Sequence, residues 1–173
     1  MKRNVMQQLI DWKQDSQRKP LLIQGARQVG KTWLMRSFGK EHFQNVAYLS
    51  MDQNPRLQAI FTQDFDIDRI IEALKIESQL PIDENTLLIF DEIQEIPLAL
   101  QSLKYFQEQH PELPILAAGS LLGVALHSGI SFPVGKIHLM DMYPLSFLEF
   151  LDAVGNEELA LLIRNADFQM MKV

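Results

Sequence analysis

Gly25-Ala26-Arg27-Gln28-Val29-Gly30-Lys31-Thr32 sets two glycines around four residues and follows the second with Lys and Thr. That spacing suits a loop wrapped around a phosphate chain, with backbone N–H groups pointing inward and glycines where a Cβ would block the approach. Lys31 can reach the outer phosphate oxygens as a point charge, and the Thr32 hydroxyl is a hard donor for a divalent cation. Arg27 adds charge to the loop, and Trp33 completes a phosphate-contacting run over residues 25–33. A chance match to this pattern in a chain of this size is on the order of one in a hundred.

A second group of chemically capable residues follows an apolar run. Leu87-Leu88-Ile89-Phe90 ends in Asp91-Glu92, two carboxylates at the carboxyl end of an expected buried strand. Asp91 is positioned to hold the hydration shell of Mg²⁺ opposite Thr32, and Glu92 to orient and deprotonate an attacking water. Ser120, after a later apolar strand, can position water or sense the terminal phosphate. Asp52 can support either site or simply form a turn. His42, His110, His127 and His138 show no metal-ligand spacing, and no Ser-His-Asp arrangement can be argued.

These residues need a scaffold that presents strand ends. Apolar positions at helical spacing predict a helix over 4–15, then a buried strand at Leu21-Leu22-Ile23, a helix after Gly30 capped by Gly39, and a strand over 45–51. Asn54-Pro55 opens another helix, and Ile67, Ile70, Ile71 and Leu74 mark the next. The acidic strand is followed by a helix from Pro97, a strand over Ile115 to Ala118, and a loop or short helix from Gly119 to Gly135. A fifth strand is expected over Lys136 to Met142. Ser146 and Glu149 form a capping box for a helix ended by Gly155, and Asn156 caps a last helix to about Ala166. Strands alternating with helices imply a parallel sheet covered on both faces, with ligands at the carboxyl ends of the strands.

Composition agrees. The 173 residues hold 47% hydrophobic and 22% charged side chains, as expected of one globular domain. Zero Cys excludes thiolate metal sites, iron–sulfur clusters and Cys nucleophily, and fits a reducing cytosol. No apolar run approaches a membrane span, so a cytoplasmic protein without a membrane partner is expected. Residues 1–40 carry nine Lys/Arg against two Asp/Glu, a net +7, and the remainder carries seven against twenty, a net −13. The excess marks an anion site near the N-terminus, whereas the acidic remainder argues against nucleic acid as a partner.

In order along the chain, GARQVGKT, YLSMD, LLIFDEIQEIP, ILAAGSLLG and MYPLSFLEFL resemble the AAA-type ATPase domain of bacterial and archaeal ATP-binding proteins that carry a C-terminal DUF4143 region. The resemblance covers about residues 2–152. It implies a three-layer α/β P-loop NTPase fold of the additional-strand class, with five mainly parallel strands in the order 5-1-4-3-2. It also implies ATP and Mg²⁺ as ligands, and roles for Lys31, Thr32, Asp91 and Glu92 that agree with those above. Where the family has Gly-Arg before the fifth strand, this chain has Gly135-Lys136. Lys136 would keep the charge that steadies the transition state but lose the bidentate fork. Residues 1–155 are then the ATPase core, and 156–173 a helix and tail opening a second domain that 173 residues cannot contain.

The leading expectation is hydrolysis of Mg·ATP, with Glu92 as base, Lys31, Ser120 and Lys136 as assisting groups, and Thr32 and Asp91 at the metal. The alternative is a nucleotide-dependent switch with negligible turnover in isolation, its state read by a partner; self-association or a protein partner is expected either way. A small-molecule kinase fits poorly, because Arg164 is the sole arginine after residue 75 to dock an acceptor.

Overall fold

The computed structural model describes residues 5–120 and 135–165. Five strands form one sheet, β1 (Leu21–Gln24), β2 (Asn45–Ser50), β3 (Thr86–Asp91), β4 (Ile115–Gly119) and β5 (His138–Asp141). All neighbours are parallel, in the order β2-β3-β4-β1-β5, which is the expected order read from the other edge. The helices are α1 (Val5–Gln14), α2 (Lys31–His42), α3 (Pro55–Gln63), α4 (Ile67–Ser78), α5 (Pro97–Gln109), α6 (Phe147–Ala153) and α7 (Glu157–Arg164).

Alternation hidden inside the uniformly apolar strands divides the core in two. Leu87 and Ile89 of β3 face α1 and α2, where they meet Leu34, Met35, Phe38 and Leu9. Leu88 and Phe90 face the opposite layer, built from Leu57 and Phe61 of α3, Ile67, Ile70 and Leu74 of α4, and Leu100, Leu103 and Phe106 of α5. Every residue of β3 is buried, and each large aliphatic or aromatic side chain so covered contributes about 1.5–3 kcal/mol. The three layers leave the strand ends as the surface on which a site can be assembled.

Local signals explain the helix starts. The Asn54 side chain accepts from Leu57 N–H at 3.1 Å with Pro55 in the first turn, and Asp66 does the same for Arg69 N–H at 3.1 Å. Ser146 and Glu149 make both bonds of the capping box, at 3.2 and 2.9 Å.

Three boundaries differ from expectation. Gly39 does not end α2. The helix continues to His42, and a Cβ at Gly39 would stand 2.8 Å from Val46 and 3.0 Å from Leu87, so this glycine marks where α2 lies closest to the sheet. Asn156 precedes α7 but makes no side-chain cap bond. β5 is shorter than 136–142, because Lys136 sits in the preceding turn and Met142 leaves the ladder after its N–H reaches Gln24 O at 2.7 Å. Most of the Gly119 to Gly135 stretch, His127, and the tail after Asn165 lie outside the described residues. Among the described residues no helix is long and apolar enough to cross a membrane.

Candidate functional site

The loop from Gly25 to Gly30 leaves the carboxyl end of β1 and turns directly into α2. Gly25 lies so close to the exit of β5 that a Cβ there would stand 2.2 Å from Met142 O. Gln28 and Gly30 both take positive φ, 65° and 95°, which bends the loop over the helix N-terminus. Val29 is buried in the α2-side core and anchors the loop, while Ala26, Arg27 and Gln28 are exposed. The helix behind the loop supplies aligned N–H groups and the positive end of its dipole.

Lys31 is only 5% exposed, and its Nζ donates to Gly25 O and Ala26 O, both at 2.8 Å. Burial lowers its pKa below the usual 10.5, and the carboxylates of Glu92 and Asp91 partly offset that effect. The amine thus braces the loop from within and faces the two acids at the end of β3.

Asp91 is the hub of the site. It is 3% exposed, and its Oδ2 accepts from Thr32 Oγ1 at 2.6 Å and from Tyr48 OH at 2.8 Å. Its Oδ1 accepts from Glu92 N–H at 3.1 Å. Tyr48 reaches this position because β2 and β3 pair in register, Tyr48 beside Ile89 and Ser50 beside Asp91. Burial, with the Asp91 hydrogen bond second, pushes the Tyr48 phenol up to about 12, so it donates throughout the physiological range.

Glu92 is diverted from the strand by a left-handed backbone, φ 51° and ψ 45°, so its side chain leaves the direction Asp91 takes. Its Oε2 accepts from Gln94 Nε2 at 2.6 Å. Ser120 Oγ, at the end of β4, stands 3.4 Å from the same oxygen, too long for a strong hydrogen bond. The ends of β1, β3 and β4 thereby bring Lys31, Thr32, Asp91, Glu92 and Ser120 together. A buried amine, a hydroxyl bonded to a carboxylate, and a second carboxylate beside a polar strand end can bind polyphosphate and a hard cation and hold a water for deprotonation.

One expected residue stands apart. Lys136 precedes β5, whose first residue pairs with Leu21 at the amino end of β1, so it lies at the end of the sheet opposite the loop. Its Nζ pairs with Glu108 at 3.1 Å, and it does not reach the phosphate loop of its own chain. Trp33 is 41% exposed and lines a groove of about 850 Å³ between α2 and β2 with Thr32, Arg36, Lys40 and Tyr48. Asp52 is exposed in the turn after β2.

Two further residues, Tyr48 and Gln94, join the site through Asp91 and Glu92. Tyr48 was hidden because only the strand register reveals its partner. Gln94 stands within the LLIFDEIQEIP segment, and its spacing from Glu92 was the available signal. Of the histidines, His110 is held between Asp68 at 2.8 Å and Glu112 at 3.1 Å, His42 lies with its ring 4.8 Å from that of Phe38 and tilted by 43°, and among the described residues no group of three or more His, Asp or Glu could hold a metal.

A family model described as AAA domain matches residues 17–151. No curated protein matches the sequence. Among solved structures, the Orc1 protein of Aeropyrum pernix in complex with DNA superposes with a TM-score of 0.51 at 16% identity, over 88% of this chain and 47% of that one. AMPPCP-bound DnaA from Aquifex aeolicus superposes with a TM-score of 0.50 at 16% identity, over 88% of this chain and 48% of that one. The chain spans about half the length of each, and at this identity the likeness is one of fold.

Proposed function

The chain belongs to the AAA domain family, whose model matches residues 17–151, and from that premise we propose that it binds Mg·ATP at Gly25 to Thr32 and hydrolyses it to ADP and phosphate. The observation that carries this reading is the convergence on one strand-end surface of Lys31, the bonded pair Thr32 and Asp91, and Glu92 beside Ser120. A hydroxyl and a carboxylate 2.6 Å apart are hard oxygen donors that suit Mg²⁺ better than a softer ion. Mg²⁺ held there supplies charge neutralisation on the phosphate oxygens.

The protein's own groups account for the rest. Backbone N–H groups of the loop cradle the phosphates, and Lys31 turns its charge toward them from a buried position. Glu92, held by Gln94, takes a proton from the attacking water, and Ser120 holds that water from the side of β4. The test is nucleotide binding and phosphate release with and without added Mg²⁺, in wild type, Lys31→Ala and Glu92→Gln.

One observation favours a second reading, a nucleotide-dependent switch. Lys136, the expected transition-state cation, is bound to Glu108 at the far end of the sheet. The isolated chain would then bind ATP and turn it over only when another molecule supplies that charge. Single-turnover hydrolysis separates the two, since a rate no faster than in plain buffer selects the switch.

We further place the start of a second unit, or a contact with another protein, at residues 156–173. Phe147, Phe150, Val154 and Leu161 of α6, α7 and their junction are 49–62% exposed, an apolar surface that supports a covering partner. DNA is named in the Orc1 structure, but here the net −13 beyond residue 40 argues against a nucleic-acid contact by that segment.

A further inference from the structure

Asp91 is held from two elements at once, and the second holder lies outside the phosphate loop and the acidic strand. Three of the roughly four lone-pair positions of an ionised carboxylate are occupied, two on Oδ2 by Thr32 and Tyr48 and one on Oδ1 by Glu92 N–H. The remaining acceptor position is therefore on Oδ1. Without the phenol, Oδ2 would keep only the Thr32 donor, and the carboxylate could rotate about its broad terminal torsion.

Tyr48 is itself held. The Arg36 guanidinium of α2 lies 4.9 Å from the centroid of its ring, and the ring packs on the α2-side core. The donor thus comes from a side chain with little freedom, which makes the bond an orienting one.

Resting on the Mg·ATP reading above, we propose that Tyr48 is a positioning residue for the metal-side carboxylate: its hydroxyl locks Asp91 Oδ2, leaving Oδ1 to face the hydrated cation. A purely structural role, satisfying a buried carboxylate, would alter stability and leave the metal dependence alone.

The experiment measures AMPPCP affinity by calorimetry in EDTA and in Mg²⁺, for wild type, Tyr48→Phe, Asp91→Asn and the double variant. Phe retains the ring, its packing and its contact with Arg36. In Tyr48→Phe the tightening produced by Mg²⁺ shrinks about three- to tenfold, the scale of one lost hydrogen bond to an outer-sphere ligand, while affinity in EDTA stays within about twofold. In the Asp91→Asn background the same substitution produces no further loss. A Mg²⁺ effect in Tyr48→Phe equal to that of wild type overturns the assignment alone, as does an undiminished loss when Tyr48→Phe is added to Asp91→Asn. Wild-type affinity that ignores Mg²⁺ overturns the Mg·ATP reading and this assignment together.

Discussion

Thr32 Oγ1 and Asp91 Oδ2 stand 2.6 Å apart although 59 residues separate them in the chain. The contact joins the first turn of α2 to the last residue of β3 and so ties the loop to the acidic strand. It is also the geometry that a hydroxyl and a carboxylate need to share one hydrated cation.

Glu92→Gln keeps the shape and the Gln94 contact but removes the base. ATP affinity should stay within about threefold while phosphate release falls at least about a hundredfold, the usual scale of general-base catalysis. Equilibrium binding and a phosphate-release assay check the two halves separately. Gln94→Ala should slow release by less, since the base remains.

Lys31 gives a pH signature of known sign. Its folded pKa lies below 10.5, so the charge that attracts phosphate is lost earlier than on an ordinary lysine as pH rises. ATP affinity should fall through that alkaline window. Stability from this residue runs the other way, because between the two pKa values the unfolded chain binds more protons than the folded one and stability rises with pH. Lys31→Met should flatten both trends, seen in binding and denaturation curves taken from neutral pH upward.

Gly25→Ala and Gly39→Ala separate the loop from the scaffold. At Gly25 the new Cβ meets a backbone oxygen at 2.2 Å, so the loop must move, and both stability and ATP affinity should fall. At Gly39 the clash is with side chains of Val46 and Leu87, and stability alone should drop by about 1–3 kcal/mol. Urea melts with parallel nucleotide titrations distinguish the two.

Lys136→Ala should leave ATP affinity and phosphate release of the isolated chain within about twofold. The pair with Glu108 is partly exposed, so stability should change by no more than about 1 kcal/mol. A large loss of turnover in dilute monomer would contradict its placement at the far end of the sheet.

The sheet and the core of the site were legible because each rests on local pattern. GARQVGKT, LLIFDE and the Asn54-Pro55 helix start carry their meaning within eight residues or fewer. What stayed hidden depends on register and on which end of a strand a residue occupies. Lys136 looked well placed beside a strand, but only the pairing of His138 with Leu21 shows that it enters at the amino end. Tyr48 is one residue of an expected strand, and only the register of β2 against β3 brings its hydroxyl to Asp91. Gly39 read as a helix stop, whereas packing against Val46 and Leu87 required a residue without a side chain there.

Met142 belongs to two structures at once. Its N–H closes the β5 edge on Gln24 O, and its carbonyl fills the space beside Gly25 that a Cβ would need. Residues 143–145 then lead straight to the Ser146 cap of α6. Met142 is also buried in the α2-side core, so the segment leading to the C-terminal helices starts from a residue that touches sheet, core and phosphate loop together.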